Sequence, residues 1–267
     1  MRGIQIDRRD DPRLAEFRNV PDADLVTRHG LFVAEGRLVV RRLLSASSLV
    51  ARSVMVTEVA LSSLQDLLAT RDGPPVYVVP QTVMDDITGF HIHRGCLALG
   101  ERPGARSVAE LTRDAHSLVA IEGVSDADNV GSIFRNAAAF GVHAVIVGPS
   151  CADPLYRKAI RTSMGAALTM PFAEARAWPD TLQELRANGW AVVAMTPSRA
   201  ARPVAEVAQM ISGHRVAVVV GHEGDGLTEG ALASSTHHAR IAIANEVDSV
   251  NVATAVAIAL YELTRPR

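Results

Sequence analysis

At residues 218–227 the chain reads Val218-Val219-Val220-Gly221-His222-Glu223-Gly224-Asp225-Gly226-Leu227, and the change of character inside those ten residues organises the rest. A β-branched run of this kind is the pattern of a strand buried on both faces. Three glycines in the next six residues make a loop able to wrap a ligand with backbone N–H groups. In parallel α/β sheets ligands sit beyond the carboxyl ends of the strands, which is where this loop falls. Its spacing is GxxGxG rather than the GxGxxG of the dinucleotide fold, and no GxxxxGK[ST] occurs. A nicotinamide site or a phosphate loop is therefore disfavoured. Taken alone, the stretch also reads as an ordinary glycine turn.

Outward from it, the second part of the chain alternates strands and helices. Ser117–Ile121, Ala144–Val147, Ala191–Ala194 and Val216–Val220 read as buried strands, with a shorter one expected at Ile241–Ala244. Helical patterns cover 131–140, 181–188 (closed by Gly189) and 252–263. The spacing predicts an α/β domain with a mostly parallel sheet covered by helices. Upstream, LFVAEGRLVVRRLL reads as a strand followed by an amphipathic helix. Residues 54–57 and 76–79 are short β-branched runs separated by the helical stretch LSSLQDLLAT, which suggests βαβ packing in a small α/β unit. Pro and Gly among the charges of Glu101–Arg106 mark a linker, so the expected domains are 1–104 and 105–267.

Two further segments place polar residues directly after strands. Ile121-Glu122-Gly123-Val124-Ser125-Asp126-Ala127-Asp128-Asn129 leads into a helix carrying Arg135 about one turn inside, with Asn129 able to cap it. Ile241-Ala242-Ile243-Ala244-Asn245-Glu246-Val247-Asp248-Ser249-Val250-Asn251 precedes an Ala/Val helix that is apolar all round and so suited to deep burial, with Ser249 or Asn251 as its N-cap. Each of these also has a bland reading as a cap or a solvated helix residue.

Composition narrows the classes. The 267 residues are 48% apolar and 21% charged, the balance of an ordinary globular protein. A net charge of −2 gives no global electrostatic case for nucleic-acid binding, so such a case rests on local patches. Lys158 is the sole lysine, and positive charge is carried by planar guanidinium groups. One local cationic strip is Tyr156–Ala166, where Arg157, Lys158 and Arg161 fall on one side of a helix, and the first fifty residues add nine arginines. Cys96 and Cys151 are read as reduced, buried thiols, and no CxxC or paired His/Cys spacing offers a zinc site. His91 and His93 are read as belonging to a strand end. The N-terminus lacks the apolar core of a signal peptide, and no window reaches the length of a membrane span. A cytoplasmic protein without metal or membrane contact is expected.

Together the three segments resemble the motifs of the SpoU branch of the SPOUT (α/β-knot) RNA methyltransferases, related to the TrmH ribose methyltransferases of tRNA and 23S rRNA. The N-x-G-x-x-x-R-x-A element is matched by Asn129, Gly131, Arg135 and Ala137. The G-x-E-x-x-G-L element is matched by Gly221, Glu223, Gly226 and Leu227. The I-P…S-L-N-V-S-x-A element is matched by Ile241, Ser249, Asn251, Val252 and Ala255, with departures at Ala242, Val250 and Ala253. Phe32–Arg37 and His93-Arg94-Gly95 are similar to the small L30e-like substrate-binding domain that precedes many members.

The resemblance implies a mostly parallel sheet with a trefoil knot, S-adenosylmethionine as cofactor, an rRNA or tRNA substrate methylated on the ribose 2′-hydroxyl, and a homodimer. It implies Arg135 as the catalytic arginine, with Asn129, Glu223, Ser249 and Asn251 orienting it, the substrate and the cofactor. Gly221, Ile241, Val250, Thr196 and Leu227 would hold the cofactor. The cationic residues Arg157, Lys158, Arg161 and Arg37 are the expected RNA contacts. At this level the motifs fit a housekeeping enzyme, an antibiotic-resistance rRNA methyltransferase of the same fold, and a catalytically silent RNA-binding protein, although the retained polar residues speak against the last.

Overall fold

A computed structural model describes residues 3–18, 21–68, 73–89, 91–92, 95–244 and 249–264. The expected features at His93-Arg94 and at Asn245–Asp248 lie outside the described residues. Contacts divide the chain into two units, one of Met1–Gly104 with Leu155–Thr169 and one of Ala105–Pro154 with Met170–Arg267.

The first unit is built on a five-stranded sheet, β1 (Ile4–Gln5), β2 (Leu31–Glu35), β3 (Ala51–Val56), β4 (Val76–Val78) and β5 (Cys96–Glu101), in the order β1-β4-β3-β5-β2. β1, β4 and β3 run parallel, whereas β5 pairs antiparallel with both β3 and β2. The βαβ expectation is met at β3 and β4, joined through the short helices Glu58–Ser62 and Gln65–Leu68. Helix Arg157–Thr162 packs on β2. Met55, Leu97, Leu99 and Met84 are fully or almost fully buried in the core of this unit.

The second unit holds a seven-stranded, wholly parallel sheet: β6 (Ser117–Ile121), β7 (Ala144–Val147), β8 (Phe172–Glu174), β9 (Trp190–Met195), β10 (Arg202–Pro203), β11 (Arg215–Val220) and β12 (His237–Arg240). The order is β10-β12-β9-β11-β6-β7-β8. From β6 the chain moves outward through β7 and β8, then crosses to β9, and β11 later fills the gap between β9 and β6. Such a reversal of strand order opens a crevice at the carboxyl ends of the strands. The central strands are buried along most of their length, as their continuous Val, Ile and Ala runs require. Each fully buried Val or Ile contributes about 1.5–3 kcal/mol relative to exposure.

Two expectations are corrected here. The last strand is His237–Arg240, not 241–244; it pairs with β9 through His237↔Val193 and Ala239↔Met195, and residues 241–244 have no regular structure. Near the sheet edge only Ala239 needs to be buried, so the strand is mostly polar and the apolar run beyond it is left over. The helix Val252–Thr264 was expected to be enclosed on all sides. Instead it buries Val252, Ala253, Val256, Ala259 and Leu260 against helix Ala127–Ala139, helix Val204–Met210 and β11, and leaves Tyr261 exposed.

Candidate active site at the carboxyl ends of the parallel strands

Register brings the motif segments side by side. β11 pairs with β6 through Val220↔Ile121 and with β9 through Val219↔Ala194, so Glu122, Gly221 and Thr196 leave the sheet at nearly the same level. Beyond them lies a cavity of about 240 Å³ lined by Met195, Thr196, Val220, Ile241, Ser249 and Val250, with residues 197, 221–224, 226, 243, 252 and 255 completing it. That is slightly below the roughly 300–1,000 Å³ of typical small-molecule pockets. Its walls are mainly apolar, and its polar groups come from Thr196, Ser249, Glu223 and the backbone of the turn. Apolar walls with a few polar groups suit a heteroaromatic ring carrying a polar tail.

The glycine turn is folded on itself. His222 and Gly226 exchange two backbone hydrogen bonds of 3.1 and 3.0 Å, and the Nδ1 of His222 accepts from Gly224 N (2.9 Å) and Asp225 N (3.2 Å). A Cβ on Gly221 would lie 2.3 Å from the carbonyl oxygen of Gly226, so only glycine fits there. Four backbone N–H groups that the sequence offered to a ligand are thus engaged inside the loop. Leu227, expected beside the cofactor, is buried in the sheet core with Leu182, Trp190 and Ala231 and does not line the cavity.

Beside the cavity, the side chains of the three motifs meet in a hydrogen-bonded cluster. The Asn251 amide nitrogen donates to Asn129 Oδ1 (2.8 Å) and to Glu223 Oε1 (2.7 Å). The Asn251 amide oxygen accepts from Ala253 N (3.0 Å) and Thr254 N (3.3 Å), so the same residue caps helix Val252–Thr264. Asn129 was expected as the cap of its own helix, but Asp126 fills that role by accepting from Asp128 N. Asn129 is therefore free to join the cluster. Asn136, one helical stretch further, donates to Ala253 O (2.8 Å) and fastens the two helices together.

Arg135 lies on the same helix as Asn129, is exposed, and has no hydrogen-bond or ion-pair partner among the described residues. The remaining expected residues lie in the first unit. Arg157 is largely covered: Asp22 accepts from its backbone N (2.8 Å) and sits 3.9 Å from its guanidinium Nε, and the side chain is 16% exposed. Lys158 and Arg161 are exposed on that helix, and Arg37 lines a separate cavity of about 540 Å³ with Gln5, Thr57 and Glu58.

Sequence reasoning passed over Glu122, a buried carboxylate at the end of β6 that accepts from Trp178 Nε1 (2.7 Å), Thr228 Oγ1 (2.8 Å) and Thr228 N (3.0 Å). It also passed over His222. The one available signal for Glu122 was an acid directly after an apolar strand. Nearby, burial pushes the Cys151 thiol up to about 11. Among the described residues no group of His, Cys, Asp and Glu could hold a metal ion, and no helix is long and apolar enough to cross a membrane.

Residues 116–261 match the sequence profile of the SpoU rRNA methylase family. A protein of Mycobacterium tuberculosis named an uncharacterized tRNA/rRNA methyltransferase is 45% identical over 260 residues, covering 96% of this chain and 90% of its own length. The fold is shared with an AdoMet-bound rRNA methyltransferase from Sinorhizobium meliloti (TM-score 0.83, 24% identity, 97% of both chains). It is also shared with an RNA 2′-O ribose methyltransferase (TM-score 0.80, 24% identity, 97% of this chain and 98% of that one).

Proposed function

The chain belongs to the SpoU rRNA methylase family, and from that membership we propose that it transfers a methyl group from S-adenosylmethionine to the ribose 2′-hydroxyl of a nucleotide in rRNA or tRNA. The single observation that carries the reading is the convergence of Asn129, Glu223 and Asn251 in one hydrogen-bonded cluster at the rim of the cavity. Asn251 reaches Asn129 across 122 residues of sequence and Glu223 across 28, so one amide joins polar groups from all three segments. The matrix around them favours the cofactor: apolar side chains of Ile241, Val250 and Val220 for the adenine, and Thr196, Ser249 and the turn for the polar end.

The cofactor supplies a methyl carbon already activated by a sulfonium, so no metal is needed. What remains for the protein is to hold the ribose oxygen in line and to stabilise charge as it develops. Arg135 suits that task. A guanidinium is a poor base, so Arg135 clamps the adjacent phosphate and stabilises the forming alkoxide, and the hydroxyl proton is released to solvent. Asn251, fixed through its cap, holds Glu223 and Asn129 in place around the substrate edge of the cavity. Lys158, Arg161 and Arg37 are offered as phosphate contacts. The protein acts in the cytoplasm, as a homodimer.

The test is to incubate the purified protein with methyl-labelled S-adenosylmethionine and separate pools of rRNA and tRNA. A ribose-methylated nucleotide lacks the 2′-hydroxyl that attacks the neighbouring phosphate in alkali. Label is expected in alkali-resistant dinucleotides. Label released only in mononucleotides, or none incorporated, overturns the reading.

A further inference from the structure

We propose that Glu122 is a positioning residue: its carboxylate clamps the outgoing end of the glycine turn and so sets the cavity wall and the placement of Glu223 on Asn251. The inference rests on reading that cavity as the cofactor site.

Glu122 is 5% exposed and does not line the cavity. A carboxylate accepts at both oxygens and donates from neither, and burying one is tolerated only with such partners. Here three donors converge on it, with Trp178 Nε1 and Thr228 Oγ1 on one oxygen and Thr228 N on the other. Thr228 stands two residues after the turn, next to Leu227. Its hydroxyl also accepts from Ala231 N (3.2 Å), capping helix Glu229–Ser234. Trp178 is itself seated against the end of β7, where a Cβ on Gly148 would stand 3.3 Å from the indole ring. Through one carboxylate, then, the ends of β6 and β7 and the exit of the turn after β11 are tied together.

The turn is closed internally by the His222–Gly226 pair and by the His222 ring, so it behaves as one rigid piece. A rigid piece is oriented by its two ends. The incoming end is β11, hydrogen-bonded on both sides, and the outgoing end is Leu227 in the core followed by Thr228 on Glu122. Glutamine at position 122 would turn its NH₂ towards at least one of the three donors, placing donor against donor. The turn would then tilt about β11, moving Glu223 relative to Asn251.

Glu122→Gln and Thr228→Val test this beside the unaltered chain, with three measurements on each. These are S-adenosylmethionine affinity by calorimetry, steady-state kinetics, and amide hydrogen exchange. For Glu122→Gln the expected results are a tenfold or greater loss of cofactor affinity, a matching rise in KM for the cofactor with kcat changed less than threefold, and at least tenfold faster exchange at residues 222–226. Exchange in β6, β9 and β11 is expected to stay at the unaltered rate, which a merely destabilised fold would not give. A folded Glu122→Gln with unaltered affinity and turn protection overturns the proposal. If that variant does not fold, Thr228→Val decides it: severalfold faster exchange confined to the turn supports the clamp, and unaltered exchange refutes it. If the unaltered chain binds no S-adenosylmethionine, the cofactor reading fails, and the exchange comparison still decides the role of Glu122.

Discussion

Asn129 and Arg135 stand on one helix, six residues apart, and are used in opposite ways. The amide oxygen of Asn129 is consumed within the protein by Asn251, which is consumed in turn by Glu223 and by its own helix. Arg135, with five N–H donors, is exposed and engages none of the described residues. The hydrogen-bonded group is preorganised: its geometry is fixed before any ligand arrives. The guanidinium, left to solvent within the described residues, is a reserve of charge and donors open to a ligand. On the proposed mechanism the contrast separates residues that shape the site from a residue that acts in it, and it has measurable consequences.

The largest effect is expected at Arg135. Arg135→Ala should lower methyl transfer by roughly 10²–10³-fold, the usual loss when one preorganised charge-stabilising donor is removed. Because the side chain is exposed, stability should stay within about 0.5 kcal/mol. Cofactor affinity should be unaltered by calorimetry. Undiminished transfer would break the contrast at its acting side.

Asn251→Ala should show the reverse balance. Loss of the cap costs about 1 kcal/mol, equivalent to a drop of roughly 2–4 °C in Tm for a domain of this size. Transfer should fall about tenfold, the value of one lost orienting interaction near 1.4 kcal/mol. Thermal melting and single-turnover rates on the same preparation distinguish the two variants. Glu223→Gln is milder, because a carboxamide oxygen still accepts from Asn251; a loss of about threefold or less is expected. A collapse of activity there would mean that the Glu223 charge acts on a ligand directly.

How much of this was legible beforehand follows from where each contact's partner lies. The strands β6, β7, β9 and β11 announce themselves as continuous Val, Ile and Ala runs because both of their faces are buried. β12 is concealed by its position near the edge, where His237 and His238 stay partly in solvent, and the neighbouring apolar run at 241–244 attracted the assignment. Asn251 reads as a cap from local sequence, since the two N–H donors it accepts from are only two and three residues away. Asn129 does not read correctly, because Asp126 three residues earlier competes for the same role. Arg157 looks like one of three equivalent cations until Asp22, 135 residues distant in sequence, covers it. Glu122 is the extreme case. Its donors lie 56 and 106 residues downstream, so beyond its place directly after an apolar strand nothing local distinguishes it from a solvated acid.

The smallest effect is expected at Cys151, where the same contrast extends to a reactive group beside the site. Its Sγ lies 3.5 Å from Ile121 O, and burial raises its pKa from the ordinary 9.0 to about 11. At pH 8 roughly one thiol in a thousand is then ionised, and the thiolate is the species that alkylates. Iodoacetamide at that pH should leave both the intact mass and the transfer rate unchanged over an hour. Because the folded state holds the proton more tightly than the unfolded one, stability contributed by the neutral thiol is retained below pH 9 and lost as the pH climbs towards about 11. Labelling should therefore accelerate over that interval. Rapid labelling at pH 8 with loss of transfer would move Cys151 out of the internally committed group and place it, like Arg135, among the groups open to a ligand.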